Sequence, residues 1–128
     1  MLFKVPNVAR ILAIDDDNSI RKLLCLVLKD AGYEVSEASN GRIALEMQRE
    51  SPAELIITDI FMPEKEGTEF IMDMSVEFPK VKVIAMSGGG NIEGVDFLNL
   101  AENLGALKTF RKPFKQVDLL AAVEELLA

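Results

Sequence analysis

The sequence contains no histidine. That absence removes His-ligated zinc, Ser-His and Cys-His nucleophilic pairs, and any phosphohistidine intermediate carried by the chain itself. Cysteine is nearly missing as well. Cys25, the only one, cannot close an internal disulfide, which fits a reducing compartment. It lies in an amphipathic helical stretch with no histidine to activate it, so it reads as a packing residue. No apolar run approaches the roughly 20 residues of a membrane span, and no signal-peptide pattern opens the chain. The expectation is a soluble, cytoplasmic protein with no membrane partner. Basic residues are in deficit, 14 against 21 acids for a net charge of −7. This argues against direct contact with nucleic acid and points to another protein as partner. Repeats, linkers and low-complexity tracts are also absent.

What is present is a globular composition, 49% apolar and 27% charged over 128 residues, enough for a single domain that buries a core unaided. Residues 1–9, with Pro6 and Asn7, show no sustained period and read as an N-terminal lead-in, with the domain spanning 10–128. Ile11 to Ile14 has the pattern of a buried strand and runs into Asp15, Asp16 and Asp17. Asn18 and Ser19 are N-cap residue types, followed at helical spacing by Ile20, Leu23, Leu24, Val27, Leu28 and Ala31, until Gly32. Tyr33 to Glu37 alternates like a less buried strand, and Asn40-Gly41 opens a helix with Ala44 and Met47 on one face. Leu55, Ile56 and Ile57 form the next buried run, which ends on Asp59. Met62-Pro63 breaks the chain, and Gly67, Phe70, Ile71, Met74 and Phe78 mark a third helix closed by Pro79. Val81 to Met86 is a fourth run, ending on Ser87 and three glycines. Residues 92–104 read as a helix weakened by Gly94, with Phe97, Leu98 and Leu100 in the core; Leu107 to Phe110 reads as a last strand, and Val117 to Leu127 as the closing helix. Strand and helix alternate throughout, which predicts a three-layer α/β/α sandwich with a parallel sheet.

Ligands of such sheets collect at the C-terminal ends of the strands. That edge receives Asp15, Asp16 and Asp17 from the first strand, Asp59 from the third, Ser87 from the fourth and Lys112 from the fifth, while the second contributes nothing comparable. Several carboxylates in one crevice repel by about 4 kcal/mol per close pair at an effective dielectric of about 20. A hard divalent cation with oxygen ligands compensates, and Mg²⁺ suits one or two carboxylates completed by water and a phosphate oxygen. Lys112 adds a fixed positive charge. A carboxylate beside Mg²⁺, a hydroxyl and an ammonium is equipment for phosphoryl transfer onto Asp59. Taken singly these residues have blander readings. The Asp run alone is a solvated loop and helix cap, Asp17 is equally a cap or an exposed acid, and Ser87 with its glycines alone is as much a plain turn.

Ile14-Asp15-Asp16-Asp17, Asp59-Ile60-Phe61-Met62-Pro63 with Gly67, Met86-Ser87-Gly88 and Lys112-Pro113-Phe114 occur in that order. Together they resemble the receiver domain of two-component response regulators, from Arg10 to Leu127. The resemblance implies a flavodoxin-like sheet of order 2-1-3-4-5 and Asp59 as phosphoacceptor. Asp16 would be its main partner on Mg²⁺, Asp15 would assist through water, and the Phe61 carbonyl would supply another ligand. Ser87 would hydrogen-bond the phosphoryl group, Gly88 would leave it room, Lys112 would pair with its oxygens, and the Lys112-Pro113 peptide would be cis. One position departs from the pattern: Thr109 stands three residues before the lysine, where many receivers carry an aromatic switch residue. Phe110 would point to the opposite face.

The expected donor is a phosphohistidine on a histidine kinase or a histidine phosphotransfer protein. The expected output is altered binding of a downstream protein at the face of the fourth helix, fifth strand and fifth helix, by a monomer or a phosphorylation-dependent dimer. With no effector expected after Ala128, that output would pass through a surface; the chain could equally be a domain of a hybrid kinase or of a longer regulator. The protein would not be an enzyme beyond assisting its own phosphorylation and dephosphorylation. Two alternatives stand beside this: a pseudo-receiver acting as a constitutive interaction domain, and a haloacid-dehalogenase-type phosphatase built on the Asp15-Asp17 pair.

Overall fold

Each apolar run becomes a strand covered on both faces. The computed structural model describes residues 8–60, 67–88 and 97–128, the side chains of 97 and 98 excepted. Its strands are β1 (Arg10–Ile14), β2 (Glu34–Ala38), β3 (Leu55–Asp59), β4 (Lys82–Ser87) and β5 (Lys108–Arg111). Between and after them lie α1 (Asn18–Asp30), α2 (Gly41–Glu50), α3 (Gly67–Glu77), α4 (Phe97–Leu104) and α5 (Gln116–Leu127). All four strand pairings are parallel, in the order β2-β1-β3-β4-β5. This is the expected three-layer, flavodoxin-like sandwich.

Alternation along the strands divides the core in two. Ile11, Ala13, Leu55, Ile57, Ile84 and Met86 face α1 and α5, where they meet Leu24, Cys25, Leu28, Leu119 and Val123. Leu12, Ile14, Ile56, Val83 and Ala85 face the other helices and meet Ala44, Phe70, Ile71, Met74 and Ala101. Each fully buried aliphatic or aromatic side chain contributes about 1.5–3 kcal/mol of transfer free energy, which makes β1, β3 and β4 the rigid centre from which the site projects.

Helix ends are set by side-chain caps and glycines. Asp17, not Asn18 or Ser19, is the N-cap of α1: its carboxylate accepts from the Ser19 and Ile20 amides at 2.8 and 3.2 Å. Asn40 caps α2 through the Ile43 amide at 2.8 Å. At the far ends of α1 and α4, Gly32 (φ +98°) and Gly105 (φ +126°) take left-handed conformations that side-chain-bearing residues rarely adopt. In both, the next two amides return to helix carbonyls, Gly32 to Lys29 and Tyr33 to Leu28, Gly105 to Glu102 and Ala106 to Ala101.

Several expectations shift. β2 begins at Glu34, one residue after the expected start, and ends on Ala38. Leu23 is exposed while Cys25 is buried, because the leucine-rich α1 is apolar on more than one face. Leu100 is likewise exposed, and Ala101 is in the core, while the side chains of Phe97 and Leu98, also expected there, lie outside the described ones. The Pro6-Asn7 lead-in, Phe61, Met62-Pro63, the second and third glycines after Ser87, and the helical start at residues 92–96 lie outside the described residues.

Candidate functional site

Strand register decides which side chains share the C-terminal edge. Ile14 pairs with Thr58 and Asp59 with Met86, so the residues leaving β1 and β3 stand side by side next to the end of β4. Ser87 pairs with Arg111, and its carbonyl accepts from the Lys112 amide at 2.8 Å. The residue after β5 is thereby returned to the same edge. Asp15, Asp59 and Ser87 are buried, and the Lys112 side chain is largely so.

The Lys112 ammonium lies 2.6 Å from Asp15 Oδ2 and 3.2 Å from Asp59 Oδ1. One cation therefore serves two buried carboxylates. Asp16, exposed, completes the group: one carboxylate oxygen from each of Asp15, Asp16 and Asp59 lies within 4.8 Å of the others. Three converging oxygen donors suit a hard divalent cation, not a soft thiolate- or imidazole-seeking one. Asp17 does not join them. It is spent on the α1 cap, and its amide donates to Asp15 Oδ1 at 2.9 Å.

Burial, opposed by Lys112 and reinforced by Asp15 and then Asp16, pushes the Asp59 carboxyl up to about 6. Burial alone would depress Lys112, but its hydrogen bond to Asp15 and the charges of Asp59 and Asp15 outweigh that and hold the ammonium above its ordinary value. The edge thus concentrates negative charge that Lys112 only partly offsets. The Lys112-Pro113 peptide is cis, as expected.

Gly67 has a steric role that sequence spacing does not reveal. A Cβ there would sit 2.2 Å from the Asp59 carbonyl oxygen and 2.5 Å from Ile60 Cα, and the Gly67 amide donates to the Ile60 carbonyl at 2.7 Å. Only glycine lets α3 start against the backbone that presents Asp59. Thr58 adds a hydroxyl donated to the Asp59 carbonyl at 2.9 Å. At Gly88, by contrast, a Cβ would meet Lys112 Cδ at an ordinary 3.6 Å, so glycine is not required there for want of space.

Two peripheral side chains also bear on the site. β2 places no group in the cluster itself but adds an indirect support: Glu37 accepts from Arg21 Nε at 2.9 Å, and Arg21 Nη1 donates to the Asp15 carbonyl at 2.7 Å. On β5, Thr109 Oγ1 donates to Glu102 Oε1 of α4 at 3.2 Å. Phe110 packs against the α1/α5 core on the other face, as alternation requires.

A doubly wound parallel sheet that gathers carboxylates, a hydroxyl and a shared ammonium at one edge defines a class of phosphoryl-handling module. The family of response regulator receiver domains matches residues 11–124, and the chain belongs to that family. It is 34% identical over 123 residues to the response regulator receiver protein CpdR of Brucella abortus, covering 92% of this chain and 96% of that one. It is 33% identical over 118 residues to sporulation initiation phosphotransferase F of Bacillus subtilis, covering 92% and 93%. Among solved structures, a CheY-like receiver domain protein from Methanospirillum hungatei superposes with a TM-score of 0.87 at 30% identity over 94% of each chain. The protein is thus a phosphoacceptor signalling module of two-component type. Among the described residues no helix is long and apolar enough to cross a membrane.

Proposed function

We propose that residues 10–128 act as a receiver in which Asp59 accepts a phosphoryl group from a phosphohistidine donor. The observation that supports it most is the Lys112 ammonium, within hydrogen-bonding distance of both Asp59 and Asp15 at the strand ends. Asp59 Oδ attacks phosphorus, the bond to the donor nitrogen breaks, and the electron pair leaves with the donor imidazole. These 128 residues contain no histidine, so the donor lies outside them, on a histidine kinase or a histidine phosphotransfer protein.

Asp15, Asp16 and Asp59 would hold Mg²⁺, Asp15 through water; the Phe61 carbonyl, expected as a further ligand, lies outside the described residues. When bound, the cation neutralises the acidic edge and the charge of the phosphoryl oxygens. Lys112 moves from its two carboxylates to share a phosphoryl oxygen, and the Ser87 hydroxyl donates to another. Strand ends hold Asp59 and Ser87 in place, so the shift of the Lys112 ammonium is the main side-chain rearrangement that accompanies transfer. The module assists its own phosphorylation and dephosphorylation and turns over no separate substrate. It works in the cytoplasm and signals through the face formed by α4, β5 and α5. There Thr109, at the position where many receivers carry an aromatic switch residue, donates a hydrogen bond to Glu102.

A constitutive interaction domain would need neither converging carboxylates nor a buried ammonium between them, which disfavours the pseudo-receiver reading. The test is amide NMR of the chain with Mg²⁺, then with Mg²⁺ and beryllofluoride. The expected result is perturbation of Asp15 to Asp17, Asp59, Ser87, Gly88 and Lys112. Amides indifferent to both additions would overturn the proposal.

A further inference from the structure

Asp16 is the exposed member of the acidic cluster, so packing around its side chain does not aim it. The backbone does. The carbonyl of Asp15, which belongs to the peptide entering Asp16, accepts from Arg21 Nη1 at 2.7 Å. The amide of Asp17, which belongs to the peptide leaving Asp16, donates to Asp15 Oδ1 at 2.9 Å. Two planar peptides flank Asp16, and fixing both fixes its φ and ψ and hence the direction of its Cβ.

Arg21 is itself held. Its side chain, 12% exposed, leans back toward the start of α1, as helical side chains do. Nε donates to Glu37 Oε1 at 2.9 Å, and Nη2 bonds Asn18 Oδ1. Glu37, near the end of β2, has its other oxygen facing the Cys25 thiol, 3.6 Å away. Burial, then the Glu37 charge, pushes that thiol up to about 11, so it remains a thiol at neutral pH. The guanidinium thus spans three elements: α1, β2 and the loop that carries Asp16. A lysine ammonium could reach the Asp15 carbonyl but lacks the planar fork that engages Glu37 at the same time.

We infer that Arg21, braced by Glu37, is a positioning residue for the divalent-cation site: it sets the affinity of Asp16 and its neighbours for Mg²⁺ without touching the cation. The inference rests on the cation reading given under Proposed function. Polar groups that orient metal ligands typically change affinity by about 10- to 100-fold when removed. Arg21→Gln is therefore expected to weaken Mg²⁺ binding by about 10-fold or more, Glu37→Gln by less, and Arg21→Lys to recover part of the loss.

The experiment is a Mg²⁺ titration of the whole chain, followed through the Asp15 to Asp17 amides. Wild type, Arg21→Gln, Arg21→Lys, Glu37→Gln and Asp16→Asn are compared, with acetyl phosphate labelling measured against Mg²⁺ concentration. Support is a raised half-saturating Mg²⁺ concentration in Arg21→Gln, with labelling at saturating Mg²⁺ close to wild type. Labelling depressed at every Mg²⁺ concentration, saturating included, in a variant that folds overturns the inference. If Arg21→Gln does not fold, Glu37→Gln and Arg21→Lys carry the test; wild-type affinity in both overturns it. Wild-type Mg²⁺ affinity in Arg21→Gln, with Asp16→Asn impaired, overturns this inference alone. Failure of wild type to bind Mg²⁺, or unchanged affinity in Asp16→Asn, overturns the site reading and this inference with it.

Discussion

Replacing Asp59 by Asn should make the protein more stable, by an amount that depends on pH. Burial raises the Asp59 pKa from 3.8 to about 6, even with Lys112 opposing the shift. The folded state therefore holds the proton more tightly than the unfolded chain. Between those two pKa values the folded state binds more protons, so stability falls as pH rises through that window. At about 1.36 kcal/mol per pKa unit, the ionised carboxylate costs the fold about 3 kcal/mol above pH 6, and the cost vanishes below the unfolded pKa. Asn has similar volume and no charge. Urea denaturation in the absence of divalent cations should show Asp59→Asn more stable by up to about 3 kcal/mol at pH 7.5, with the gain shrinking toward zero near pH 4. Adding Mg²⁺ should narrow the gap at pH 7.5, because the cation binds the ionised wild type better. A variant less stable than wild type at pH 7.5, or a gain equal at both pH values, would refute the electrostatic account of this edge.

Three further changes probe separate links. Lys112→Met removes the ammonium whose charge and hydrogen bond favour ionisation of Asp59, so the Asp59 pKa should rise above about 6 when followed by carboxyl NMR; an unchanged or lower value would contradict the shared-cation arrangement. Gly67→Ala drives a Cβ into the Asp59 carbonyl and Ile60 Cα. It should cost about 3 kcal/mol or more in a denaturation curve, and a loss of a few tenths would mean the α3 start is easily displaced. Asn40→Ala deletes the α2 cap and should cost about 1 kcal/mol while leaving Mg²⁺ affinity intact; lost affinity would show that the cap supports the site.

The legible parts of the chain were those in which one short-range signal dominates. β1, β3 and β4 are continuous apolar runs buried on both faces, and their ends placed Asp15, Asp59 and Ser87 on one edge. Lys112 was legible only in combination, because the crossover connections that bring it beside Asp59 follow from the alternation of elements, not from local spacing. The α1 cap stays open in the sequence among Asp17, Asn18 and Ser19, because three successive aspartates precede two other good capping residues and only geometry shows which carboxylate reaches the Ser19 and Ile20 amides. Leu23 and Leu100 were misassigned because helices rich in leucine present an apolar period on more than one face. The Arg21–Glu37 brace joins residues 16 apart through side-chain tips, and the need for glycine at Gly67 arises from a backbone approach across the loop. Neither leaves a periodic trace.

The central claim is that Asp59 accepts the phosphoryl group. The most direct measurement is the intact mass of the chain after incubation with acetyl phosphate and Mg²⁺, with peptide mapping of the modified position. The account predicts one added phosphoryl group, released by hydroxylamine as an acyl phosphate is, mapped to Asp59 and absent both without Mg²⁺ and in Asp59→Asn. Equal labelling of Asp59→Asn, or a phosphoryl group mapped to Asp15, Asp16 or Ser87 in the wild type, would contradict it.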